Sequence, residues 1–242
     1  MIDSRALEGV IEDAGAPLLQ ASGVRKAFGK TRALKQADVQ IHAGEIVAVM
    51  GPSGSGKSTL LHCLAGILVP DEGAVVYDGR RVDRLDEEQR SALRRTDFGF
   101  VFQFGQLLGE LTVLENVALP LLLNGVKRGE AMARAGQWLE TFGLIELGRR
   151  RPHEVSGGQA QRTAIARAMA TSPKVIFADE PTGSLDSAAG LLVLDSFTSV
   201  AQSHGVAIVL VTHESRVAAY ATRTIVVRDG VVATPTAVEP SR

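Results

Sequence analysis

The chain has 242 residues, 45% of them hydrophobic, with a formal net charge of -1 and a pI near 6.5. Such a chain can bury a sizeable core, and without a global basic field nucleic acid is excluded as its main partner. One cysteine, Cys63, excludes an intrachain disulfide framework, and no apolar run reaches the ~18 residues of a membrane span.

In chain order, the N-terminus carries Asp3, Glu8, Glu12 and Asp13 with no basic start before an apolar stretch, so it does not read as a secretory signal. Residues 1–16 read as an acidic tail or a short helix, and residues 17–242 as a single domain. Leu18 to Val24 and Val39 to Ile41 are expected as edge strands, and Gly73 to Gly79 as a strand ending in an Asp-Gly turn. Together they form a small antiparallel sheet beside a nucleotide core. Glu45 to Met50 is a short β-branched run, and Thr59 to Ala65 has helical composition, with Cys63 as a small buried side chain. Phe98 to Phe102 is a second apolar strand, running into Gln103. Residues 104–155 change character: leucine-rich, helical in period around Val113 to Leu123 and Gly129 to Phe142, and broken at Gly109, Gly125 and Gly143. They read as an inserted helical lobe, part of a subdomain over roughly residues 104–170. Arg149-Arg150-Arg151 reads as a solvated face or a protein contact rather than a nucleic-acid site. Ala160 to Ala170 is expected to be helical, Val175 to Ala178 and Val206 to Val211 are buried-type strands, and Ile225 to Val232 is a hairpin on an Asp-Gly turn. Gly51 to Ser58, between the strand ending at Met50 and the helix from Thr59, reads as a phosphate loop, and the expected fold class is therefore α/β: a P-loop NTPase core of mostly parallel sheet flanked by helices, with an antiparallel β subdomain and an inserted helical subdomain.

Three clusters carry chemistry. Gly51-Pro52-Ser53-Gly54-Ser55-Gly56-Lys57-Ser58-Thr59 sits between strand and helix, where the glycines allow successive N–H groups to point at phosphate oxygens. Lys57 bridges the outer phosphates, and the Ser58 hydroxyl ligates magnesium. Asp179 and Glu180 follow a buried strand, and alternation sends their side chains in different directions. Asp179 suits a hard cation, and Glu180 suits a water aligned on the γ-phosphate. Ser156-Gly157-Gly158-Gln159 opens a helix, with Ser156 as its N-cap and both glycines leaving N–H groups free. In isolation that sequence fits a plain loop equally well. Beside a phosphate loop, it points to one ATP enclosed between two chains.

In their order, Gly51 to Thr59, Gln103, Ser156 to Gln159, Val175 to Glu180, Ser184-Leu185-Asp186 and His213 resemble the nucleotide-binding subunit of an ABC transporter, and the likeness covers nearly all of residues 18–232. The resemblance implies an ATPase using ATP and Mg2+ that forms a head-to-tail homodimer with two shared sites. It implies that Gln103 senses the γ-phosphate and magnesium and couples to a membrane partner. His213 then holds the γ-phosphate and attacking water, and Asp186 links the two sites. A lone histidine after a strand is otherwise usually structural. Phe28 stands where the family stacks an aromatic on adenine, more usually tyrosine, and a core phenylalanine is the other reading. Val155 stands where leucine is commonest in the family and Ser184 occupies a variable position, and neither removes a catalytic atom.

The segments around Phe100 to Val117 and Asp179 to Ser187 are similar to the MacB-type and lipoprotein-releasing (LolD-like) branch, whose members pair with an FtsX-like permease and mostly expel or extract substrates. The implied location is cytoplasmic, peripheral on the inner face of the membrane through the permease. Other readings are a force-transmitting FtsE-like ATPase, a soluble non-transport ABC ATPase, and a small-molecule kinase. The soluble class usually carries two cassettes or a coiled coil, and a kinase leaves Ser156 to Gln159 idle.

Overall fold

The computed structural model describes residues 15–233, so residues 1–14 of the expected tail, and 234–242, lie outside the described residues. The elements run β1 (Leu19–Phe28), β2 (Thr31–Ile41), β3 (Ile46–Met50), α1 (Lys57–Leu64), β4 (Glu72–Tyr77), β5 (Arg80–Arg81), α2 (Glu87–Thr96), β6 (Phe98–Phe102), α3 (Val113–Leu123), α4 (Arg128–Thr141), α5 (Gly157–Met169), β7 (Val175–Asp179), α6 (Ser187–Ser203), β8 (Ala207–Val211), α7 (Ser215–Ala218), β9 (Arg223–Arg228) and β10 (Val231–Ala233).

All ten strands join one sheet in the order β5-β4-β1-β2-β10-β9-β3-β8-β7-β6. From β9 to β6 the neighbours are parallel, and β1, β2, β4 and β5 pair antiparallel. Strands β7 and β8 are apolar and buried almost throughout, the composition expected of strands covered on both faces. Their side chains alternate between two cores. Val175, Phe177, Val209 and Val211 join α1 and the antiparallel strands, whereas Ile176, Ala178, Ile208 and Leu210 join α3 to α6. Each fully buried valine, isoleucine, leucine or phenylalanine among them contributes about 1.5–3 kcal/mol.

Two expectations are corrected. The segments expected as edge strands are the two halves of a long hairpin inside the sheet, and β5 is the edge. Exposed Arg25, Arg32 and Lys35 and the register shifts after Ala21, Val24 and Lys26 hide the period-two pattern in the sequence. The antiparallel strands are also continuous with the core, through a single parallel pair, Val231 with Gln36. The Asp229-Gly230 turn forms as expected, with φ of 49° and 77°. Helix α2 buries none of its residues, so no apolar stripe announces it; a capping box between Asp86 and Gln89 starts it.

Candidate functional site

Four parallel strands end in one row. Val49 pairs with Val211, Val211 with Asp179 and Asp179 with Phe102, so the residues that follow them emerge side by side. These are the phosphate loop, Thr212 and His213, Glu180, and Gln103, collected at the carboxyl edge where open parallel sheets place their sites.

Gly51, Gly54 and Gly56 have φ of 153°, 75° and 107°. A Cβ on Gly51 would lie 2.2 Å from the Val227 carbonyl oxygen, and one on Gly56 would lie 2.4 Å from that of Ala33. The loop is thus wedged between β9 and β2, and the Gly230 N–H fastens it further by donating to Ser55 O at 3.0 Å. Ser55 N–H donates to Pro52 O, and Pro52, Ser53 and Gly54 are exposed. Lys57 is 9% exposed as a residue, and its Nζ donates to the carbonyl oxygens of Gly51 and Pro52 at 2.9 and 3.0 Å. Ser55 Oγ is buried and, among the described residues, has no hydrogen-bond partner. Helix α1 starts at Gly56 with no side-chain cap and no acid in its first turn, and Ser58 there is exposed. An unpartnered hydroxyl, a buried ammonium and an uncapped helix N-terminus form a cradle that fits a polyphosphate.

Asp179 is the last residue of β7. Strand alternation does not carry on into Glu180, contrary to expectation, because Glu180 is left-handed at φ 49°. Its N–H donates to Val211 O, its carbonyl accepts from Gly183 N–H, both at 3.0 Å, and its side chain swings to His213. His213 Nδ1 donates to Glu180 Oε1 at 2.8 Å. That hydrogen bond, with the carboxylate charge behind it, raises the imidazole above its ordinary pKa. A non-glycine residue in this conformation is strained, and here the strain aims a carboxylate. Among the described residues no group of three His, Cys, Asp or Glu side chains could hold a metal. The side chains of Ser58, Gln103 and Asp179 each carry an oxygen, and a set of that kind would suit magnesium only where phosphate oxygens completed it.

Gln103 is half-buried, and its side chain packs on Gly183, where a Cβ would approach Nε2 to 2.8 Å. Ser184, read from the sequence only as a variable position, donates its hydroxyl to Gln103 O at 2.6 Å. On the other side, α5 grips the same segment. Gln161 Nε2 donates to Phe102 O at 2.9 Å, and Arg167 donates to the carbonyl oxygens of Gly105 and Gln106, each at 2.8 Å. Sequence reasoning missed these three holders, because their contacts span 59 to 81 residues and no local signal marks them.

The Ser156 end of α5 lies elsewhere. Ser156 Oγ accepts from Gln159 N–H and Gln159 Oε1 accepts from Ser156 N–H, at 3.3 and 2.8 Å, so the N-cap forms as expected. Ser156 to Gln159 line a cleft of about 540 Å3 with Ser184 to Asp186 and α6, and no residue of 51–59 lines it. Asp186 caps α6, its Oδ1 accepting from the N–H groups of Ala188 and Ala189. Phe28 ends β1 half-exposed, with Lys26 Nζ 5.9 Å from its ring centre. It belongs to the hairpin whose Ala33 carbonyl wedges the loop.

Known proteins match this arrangement. The ABC transporter family model matches residues 34–183. The ABC transporter ATP-binding protein MJ1508 of Methanocaldococcus jannaschii, itself uncharacterised, is 45% identical over 88% of this chain and 96% of its own. The lipoprotein-releasing system ATP-binding protein LolD of Aquifex aeolicus is 44% identical over 90% of this chain and 96% of its own. A dimeric structure of the ATP-binding cassette MJ0796, in a post-hydrolysis state with ADP and phosphate, superimposes with a TM-score of 0.80 at 38% identity, covering 88% of this chain and 96% of that one. This chain belongs to the ABC transporter family, as an ATP-binding subunit that hydrolyses ATP.

Proposed function

We propose that two copies of this chain close head to tail around two ATP molecules and thereby drive an FtsX/MacB-like permease that expels or extracts its substrate. The reading carries a single ABC-type domain over residues 17–242, with a helical subdomain near residues 104–170. The subunit then works at the cytoplasmic face of a membrane; among the described residues no helix is long and apolar enough to cross one. The observation that carries the reading is the separation of the two phosphate-binding helix ends. The cleft at Ser156 to Gln159 contains no phosphate-loop residue, so a nucleotide that reached the N–H groups of Gly157 and Gly158 would be one held by another chain. The LolD likeness supports the branch, and the dimeric cassette supports the assembly.

In this scheme Gly51 to Thr59 grip the phosphates and Phe28 stacks on the adenine. Ser58, Gln103 and Asp179 would hold magnesium, which would offset phosphate charge. Glu180 accepts a proton from the attacking water, and His213 keeps that carboxylate oriented while meeting the γ-phosphate. Ser156 to Gln159 close the site from the partner chain, beside Asp186 at the seam. Moving an equilibrium from mostly open to mostly closed takes about 5.5 kcal/mol of differential binding. A few charge-assisted hydrogen bonds, at ~1.5–3 kcal/mol each, reach that sum.

The permease docks in the apolar groove of about 270 Å3 between β6, α3 and α5, floored by Phe100, Phe102 and Leu119 and rimmed by Arg94 and Arg95. An amphipathic helix with acidic flanks fits that chemistry. The dimer is tested with Glu180→Gln: light scattering should give a doubled mass with Mg-ATP and a single-chain mass with Mg-ADP. One mass under both conditions would contradict the reading.

A further inference from the structure

We propose that Arg167 and Gln161 are positioning residues for hydrolysis: they set where Gln103 stands and bind it mechanically to α5. The proposal rests on the role of Gln103 given above and extends it to residues that touch no nucleotide.

Past Phe102, where the ladder to Asp179 ends, the backbone of residues 103–106 is held by side chains and by two turn hydrogen bonds, Gly105 N–H to Phe102 O and Gln106 N–H to Phe104 O. Gln161 takes Phe102 O, Ser184 takes Gln103 O, and the Arg167 fork takes Gly105 O and Gln106 O. Two consecutive left-handed residues, Gly105 at φ 67° and Gln106 at 47°, turn that pair of carbonyls toward the guanidinium. A non-glycine residue at positive φ is an unfavourable choice that the surroundings must hold in place. Gly105 lies so close to α5 that a Cβ there would meet Ala160 O and Gln161 Oε1, both at 3.4 Å. Arg167 is half-buried and, among the described residues, pairs with no carboxylate. Burial holds its pKa below the usual range, and the carbonyl dipoles of Gly105 and Gln106 compensate a cation that is partly desolvated. A planar two-pronged donor matches two neighbouring carbonyls; an ammonium does not.

The geometry joins two events. Ser156 caps the start of α5, and Arg167 lies eleven positions on, about 16 Å along a stiff helix at 1.5 Å per residue. A displacement of the Ser156 end by a partner's nucleotide therefore moves the grip on Gln103 in this chain's own site. Arg167 also lines the apolar groove beside α2 and α3, so the same grip feels what fills it.

The test is a double-mutant cycle on the full-length chain, reading kcat, KM for ATP and the Mg2+ concentration for half-maximal rate, with ATP-binding titration giving the folded fraction. Gln103→Ala and Arg167→Gln should each lower kcat about tenfold and raise the Mg2+ requirement, with KM for ATP little changed, the range seen when a residue supporting a ligand is removed. The double variant should be no slower than the worse single one. Arg167→Lys should recover part of the loss. Losses that multiply, or a wild-type Mg2+ requirement in Arg167→Gln while that of Gln103→Ala is shifted, overturn the proposal. A wild-type requirement in Gln103→Ala overturns instead the role assigned to Gln103. Should Arg167→Gln not fold, Arg167→Lys and Gln161→Leu decide: a raised Mg2+ requirement in both sustains the proposal, and its absence in either sinks it.

Discussion

The phosphate loop and the Ser156 end of α5 both present a helix N-terminus to an anion, yet they are built differently. The loop is wedged against the carbonyls of Val227 and Ala33 and fastened by Gly230, with a buried lysine inside it. The Ser156 end is exposed and closed only on itself, by the reciprocal bonds between Ser156 and Gln159. One grips its ligand from a fixed frame, and the other waits for a ligand brought to it. On the proposed reading, the wedged frame serves the binding that a single chain does, and the self-capped end meets what a second chain brings.

Substitutions sharpen that contrast in descending order. Glu180→Gln keeps the wedge and the cap while removing the proton acceptor, so kcat should fall by ~10² to 10³ with ATP affinity retained, measured by phosphate release and ATP titration. Retained hydrolysis would place the acceptor elsewhere. Gly51→Ala drives a methyl into the Val227 carbonyl at a φ that alanine resists, and it should lower stability by about 3 kcal/mol in urea unfolding. An unchanged midpoint would mean the loop is not wedged. Ser156→Ala removes only a cap, so unfolding should register about 1 kcal/mol.

Smallest is the pH effect. Because Glu180 raises the His213 pKa, their pair is intact below the ordinary imidazole value near 6.5 and is lost as pH rises through the higher folded value. At an exposed side chain this changes overall stability little. An NMR titration of His213 should give a midpoint above 6.5 that drops in Glu180→Gln; equal midpoints in both proteins would remove Glu180 as the cause.

Much of the first region was legible because strand, glycine loop and helix are contiguous, and because the apolar runs before Gln103, Asp179 and His213 each end in a polar residue at the same sheet edge. The Ser156 cap was legible for the same local reason. What holds Gln103 was not: Ser184, Gln161 and Arg167 act on backbone carbonyls far along the chain, and carbonyls have no letter in a sequence. Nor was the turn at Glu180, since the left-handed backbone there is imposed by Val211 and Gly183, not by glutamate's own preference. The β1–β2 hairpin and α2 escaped because solvent-facing charges mask the period in one and no side chain is buried in the other.

The central claim, that each ATP site draws on two chains, is tested most directly by mixing two dead proteins. Lys57→Ala disables the loop and Gly157→Asp disables the cap; a mixed pair has one site with both defects and one with neither. The account predicts that the mixture hydrolyses ATP well above the sum of its separated components. A mixture no more active than that sum would contradict it.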